Sequence, residues 1–203
     1  ALKMHSGRFK VVAGKPLDPA LQQEDLPALA EGIGNLEQQV QNMRSFGIPV
    51  VVAINNFPTD TPAEIDFIRE KAIAAGAADA CLSKVFAEGG AGGAELAAAV
   101  AKACDEPNDF HFTYADDDPI KVKIEKIATT IYGASGVTFA PAAEDAIKTY
   151  TAWGLDRLPI CMAKTHLSLS HDPALKGRPR DFVVPVRDIR PSAGAGFLYA
   201  LCG

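Results

Sequence analysis

The chain's 203 residues suffice for one large domain or two modest ones, and 48% hydrophobic with 22% charged residues describe an ordinary globular protein. A net charge of −5 argues against a nucleic-acid partner, because phosphate backbones are held by clustered Lys and Arg. The longest apolar run, Ile48 to Ile54, is strand-sized and far short of the roughly 18–20 residues of a membrane span, so no membrane partner is expected.

The chain opens without Met on Ala1-Leu2-Lys3-Met4-His5 and stops on Tyr199-Ala200-Leu201-Cys202-Gly203, which reads as a piece of a longer protein with no signal peptide. Between Glu24 and Phe46, Leu26, Leu29, Ile33, Leu36, Val40 and Met43 recur at steps of three and four. That stripe predicts one continuous helix with Gly47 as its C-terminal cap. Ile48–Ile54 then predicts a central strand buried on both faces of a parallel sheet, followed by a loop at 55–60. Thr61-Pro62-Ala63-Glu64 carries a capping box with Pro at the first helical position, and the helix runs to Gly76. A strand near Ala80–Val85 and a glycine-rich loop at 86–93 lead to a helix from Ala94 to Cys104, expected to pack through Leu96, Val100 and Cys104.

Asp105–Asp118 is polar and turn-rich and marks a boundary, giving an α/β segment over 1–110 and a smaller α+β region over 111–203. In the second part Ile120, Ile124, Ile127 and Ile131 stripe a helix ending at Gly133, and Val137–Phe139 forms a brief strand. Pro141 opens a helix reaching Trp153-Gly154, and strands follow at Pro159–Ala163, Phe182–Arg190 and Gly196–Leu201. The fold class is therefore α/β: an open, mostly parallel sheet flanked by helices, followed by a smaller α+β region.

Cys81, Cys104, Cys161 and Cys202 lie far apart in apolar contexts, which favours buried free thiols and a reducing cytoplasm over zinc or disulfides. Ser168, Ser170, His171 and Asp172 hold the letters of a catalytic triad. Triads are assembled from distant segments, however, and a polar loop is the simpler reading, as it is for His166, His171 and Cys161 as metal ligands. Ligands of open α/β sheets bind outside the carboxyl ends of the strands, so Phe57 and Phe86 stand where a planar ligand could stack. The alternative is that both rings pack their loops onto the core. Gly89, Gly90, Gly92 and Gly93 could cradle an anion or simply form a turn; their spacing matches neither a dinucleotide fingerprint nor a phosphate loop.

Several strings taken together resemble the formate–tetrahydrofolate ligase family. They are Ala1–His5, Pro49–Asn55 with Phe57-Pro58-Thr59-Asp60-Thr61, Ala87-Glu88-Gly89-Gly90, Lys123–Ala128, Ile131–Ala134, Leu158–Asp172 and Phe182–Phe197. They span essentially the whole chain in the family's order. The resemblance implies an ATP- and Mg²⁺-dependent ligase that makes formyl phosphate and passes the formyl group to N10 of tetrahydrofolate. It further implies that the nucleotide is handled by an N-terminal domain of the same protein, missing from this chain, and that the enzyme is a cytoplasmic homo-oligomer. The folate-binding positions it implies are Phe57, Pro58, Thr59, Leu82, Phe86, Gly89 and Gly90. Where the family commonly has Trp, this chain has Phe86. The piece alone is expected to be inactive. The competing readings are a non-catalytic fragment and a different doubly wound kinase or synthetase.

Overall fold

Proline, glycine and N-capping side chains punctuate the chain at most of its element boundaries. The computed structural model describes residues 1–9, 11 and 14–203, which divide into two units, Ala1–His111 and Phe112–Gly203. Both are α/β with open sheets.

In the first unit the expected long helix is two, α1 (Leu26–Gly32) and α2 (Gly34–Arg44), meeting at Ile33. Gly32 and Gly34 each weaken a helix interior by about 1 kcal/mol. Gly32 is also needed for contact, since a Cβ there would collide with the Leu2 carbonyl of the 3₁₀ turn Leu2–Ser6. Asp25 caps α1 by accepting from Ala28 N–H at 2.9 Å. After α2 the chain turns at Gly47, whose φ of 75° lies in the left-handed region.

Strand β1 (Val51–Asn55) pairs in parallel with β2 (Asp79–Ser83), from Val51 opposite Asp79 to Asn55 opposite Ser83. Helix α3 (Pro62–Ala74) makes the crossover. Among the described residues this sheet has only these two strands, so β1 is not central, and it is not buried on both faces. Ile54 is buried, Val51 and Val52 are half-buried, and Ala53 and Asn55 are exposed. Ile54 packs with Val40, Ala72, Ala77 and Ala80.

Beyond β2 come a single helical turn α4 (Val85–Glu88), a 3₁₀ turn Gly89–Gly93, and α5 (Ala94–Cys104). The face that α5 buries is Ala99 and Ala103 with Leu96 half-buried, whereas Val100 and Cys104 are exposed. The expected stripe was one position off. Alanine, not the larger side chains, faces the sheet because α5 lies against β2.

The second unit is built on a four-stranded mixed sheet in the order β3-β5-β6-β4, where β3 is Gly136–Phe139, β4 Ile160–Ala163, β5 Val183–Ser192 and β6 Phe197–Cys202. The pairs β3/β5 and β4/β6 are parallel, while β5/β6 is antiparallel with an irregularity between Val186 and Asp188. Helices α6 (Ile120–Thr130) and α7 (Pro141–Ala152) cover the sheet, and Ile120, Ile124, Val186, Ile189 and Leu198 form a dense apolar core. Lys123 on α6 is fully buried. Its ammonium donates to the carbonyls of Asp116 (2.6 Å), Asp156 (2.8 Å) and Leu158 (3.2 Å), and desolvation lowers its pKa from the ordinary lysine value.

All four cysteines are free, but only Cys81 is buried. Cys104 ends a helix and Cys161 sits on the outer strand β4; both are exposed, and Cys202 is half-buried. Burial pushes the Cys202 thiol up to about 11.

Candidate functional site

Because β1 and β2 are parallel and end in register at Asn55 and Ser83, the loops that follow them leave the same edge of the sheet. The ladder extends one step further, as Asn56 N–H donates to Ser83 O at 3.0 Å. One loop presents Phe57, Pro58 and Thr59, all exposed, and Phe86 follows the other strand on the helical turn α4, where a loop over 86–93 was expected. Phe86 is 99% exposed and Phe57 57%. Within this chain Phe86 does not pack onto the core, and Phe57 does so only in part. Leu82 is different: it lies on β2 opposite Ile54, half-buried against the apolar core.

The glycine run is a closed turn. Lys84 N–H donates to Gly92 O at 3.0 Å, and a Cβ on Gly92 would meet the Lys84 backbone. Gly89 has a φ of 61°, and Cβ positions at Gly89 and Gly90 would point into open space.

A cavity of about 460 Å³ opens beside the first loop, between β1, α3 and the segments around Leu2 and Leu21. Phe57, Thr59 and Asp60 line it, but Pro58, Leu82, Phe86, Gly89 and Gly90 do not. Its walls are mostly apolar, with Lys3, Asp60 and Glu64 as charged side chains. Lys3 and Glu64 form a buried ion pair at 2.7 Å. Lys3 also donates to the carbonyls of Leu21 and Gln23, and Glu64 accepts from Asp25 N–H at 2.8 Å. The expected capping box is thus only half made. Glu64 N–H reaches Thr61 Oγ1 at 3.3 Å, but the Glu64 carboxylate is turned toward Lys3 and Asp25, and Thr61 Oγ1 donates to Glu24 at 2.6 Å. The buried lysine and Asp25 N–H take the carboxylate in place of the Thr61 N–H, and a charged donor gives the stronger bond.

The loop carrying Phe57 is held by its neighbours. Phe57 N–H donates to Asp60 Oδ2 at 2.8 Å, Asp60 N–H donates back to Phe57 O at 2.9 Å, and Asn56 Nδ2 donates to the same carbonyl at 2.7 Å. Sequence reasoning passed over Asp60, although Asn-Asn-Phe-Pro-Thr-Asp is rich in the residues that close Asx turns.

In the second unit no triad forms. Ser168 and Ser170 are buried, with their hydroxyls 3.0 Å apart, Ser168 donating to Leu175 O and Ser170 to Asp172 O. His171 Nδ1 is buried without a hydrogen-bond partner, so it orients neither serine. Among the described residues no three His, Cys, Asp or Glu side chains gather as a metal site. No helix among them is long and apolar enough to cross a membrane.

The fold is that of an open α/β protein with its loops gathered at the carboxyl ends of parallel strands. The model of the formate–tetrahydrofolate ligase family matches residues 1–203. A formate–tetrahydrofolate ligase of Desulforamulus reducens is 55% identical over 203 residues, all of this chain and 36% of the relative. One of Roseiflexus castenholzii is 51% identical over 203 residues, with the same coverage. The fission yeast Schizosaccharomyces pombe protein named C-1-tetrahydrofolate synthase, cytoplasmic, is 48% identical over 202 residues, 99% of this chain and 22% of its own length. The chain belongs to the formate–tetrahydrofolate ligase family, and it spans about a third of the length of the bacterial relatives it matches.

Proposed function

We infer that this chain is the folate side of an ATP-dependent ligase that joins formate to N10 of tetrahydrofolate through formyl phosphate. The observation that carries the reading is the pair of uncovered rings, Phe57 and Phe86, on adjacent loops beyond one sheet edge. Pro58, Thr59, Leu82, Gly89 and Gly90 complete the proposed wall. Offset stacking on each ring adds about 0.5–1.5 kcal/mol to the burial of a flat pterin. Its larger use is geometric: a pterin fixed on both faces keeps N10 in attacking position, and orientation is a major source of rate in acyl transfer. The chain contains no Gly-x-x-x-x-Gly-Lys-Ser/Thr run, and the described residues hold no cluster suited to a metal. The family resemblance assigns the ATP phosphates and Mg²⁺ to an N-terminal domain of the same polypeptide, and no step is routed through them. The working enzyme on this reading is a cytoplasmic homo-oligomer.

The test uses the full polypeptide from the reading frame that carries this chain. Phe57→Ala and Phe86→Ala should each lower kcat/KM for tetrahydrofolate by roughly ten- to a hundredfold while altering ATP kinetics far less. Equal losses for both substrates would count against a folate-facing wall.

A further inference from the structure

A residue that is 57% exposed is oriented only in part by packing, so something else must help to aim its ring. For Phe57 that is its backbone. Its N–H and C=O carry three hydrogen bonds, and Asp60 makes two of them, one through its carboxylate and one through its own N–H. Asn56 makes the third. Both clamping residues are themselves anchored to rigid elements. Asn56 N–H extends the β1/β2 ladder to Ser83 O, and Asp60 immediately precedes Thr61, the N-cap of α3, whose carbonyl accepts from Ile65 N–H at 3.1 Å. The five residues from Asn56 to Asp60 thus form a brace between the end of a strand and the start of a helix, with the Phe57 ring at its tip.

Resting on the folate reading of Phe57, we propose that Asp60 is a positioning residue for that reading's substrate: its carboxylate sets the direction of the Phe57 ring and hence the quality of stacking. The carboxylate acts as a hydrogen-bond acceptor, through the one oxygen bound to Phe57 N–H. Asp60 also lines the cavity beside the loop, so a direct contact between its carboxylate and substrate is the rival explanation.

A double-mutant cycle in the full polypeptide separates the two. Asp60→Ala should raise the Michaelis constant for tetrahydrofolate by roughly 2- to 12-fold, the range one net hydrogen bond spans, with a change in that for ATP below about twofold. Asp60→Asn keeps an acceptor oxygen and should return the folate constant to within about twofold of the parent. In a Phe57→Ala background, Asp60→Ala should add nothing, because the ring it aims is gone. If Asp60→Ala costs as much in that background as in the parent, Asp60 acts by itself and the positioning role is wrong. It is equally wrong if Asp60→Asn is as damaging as Asp60→Ala, or if Asp60→Ala matches the parent while Phe57→Ala is impaired. If Phe57→Ala itself leaves folate kinetics untouched, the folate reading falls first and the positioning role with it. Melting temperatures of the parent and all four variants confirm that the comparison is made between folded enzymes.

Discussion

The two units of this chain spend their apolar residues differently. In Phe112–Gly203, large aliphatic side chains meet across a four-stranded sheet, and Ile120, Ile124, Ile189 and Leu198 are all at most 1% exposed. In Ala1–His111 a two-stranded parallel sheet has alanine at three of the five buried positions of its core cluster, while Phe57, Val85 and Phe86 stand exposed beyond the strand ends. Parallel sheets are ordinarily covered on both faces, and β1 shows Ala53 and Asn55 to solvent. The second unit has the denser aliphatic core, although Phe112 and Trp153 stand exposed in it. The first leaves Phe57 and Phe86 exposed beyond the carboxyl ends of two adjacent parallel strands.

The sharpest way to break this comparison is to cut one methyl-rich side chain from each unit. Ile124→Ala empties a fully buried site under the mixed sheet and should cost about 2–5 kcal/mol in urea unfolding. Val51→Ala removes a half-buried side chain from the two-stranded sheet and should cost only about 1 kcal/mol. Equal losses would mean that the two cores are not different in kind. Each variant is best followed with a probe in its own unit, so that separate transitions are not averaged.

A smaller effect sharpens the account of the second unit. Lys126 donates to the Asp118 carboxylate at 2.6 Å, and this bond, with a second from Ala115 N–H, lowers the carboxyl pKa below its ordinary 3.8. A carboxylate with a lowered folded pKa contributes stability that is present above pH 3.8 and is lost as pH falls from there through the folded value. Asp118→Asn should therefore lower the melting temperature slightly above about pH 4 and converge on the parent as pH falls below it, which flattens the acid limb. An unchanged acid limb would show that the pair is not formed in solution.

How much of this was legible depended on whether a feature is local. Helix α5, helix α7 and the strands β3 to β6 lie within a residue or two of where periodicity and Pro or Gly punctuation put them. The features missed are set by residues far apart in the chain. The helix breaks at Ile33 within a continuous apolar stripe, where Gly32 lies close against the Leu2 carbonyl. Glu64 abandons its capping box for Lys3, more than sixty residues earlier. The α5 stripe was misjudged because proximity to β2 favours Ala99 and Ala103 over Val100, a packing preference that periodicity does not carry. At the candidate site the aromatic positions were readable from the loops that follow two strong strands. Their exposure was not, and neither was the clamp that Asp60 puts on Phe57.

The measurement that bears most directly on the central claim is the folate kinetics of Phe86→Leu in the full polypeptide. Leucine supplies a comparable apolar bulk but no ring, so a packing role would tolerate it and a stacking role would not. With Phe86 99% exposed, the melting temperature should stay at that of the parent. The expected result is a loss on the order of tenfold in kcat/KM for tetrahydrofolate at unchanged stability, with ATP kinetics close to the parent. Folate kinetics equal to the parent would remove Phe86 from the site and, with it, the reading of this sheet edge as the folate wall.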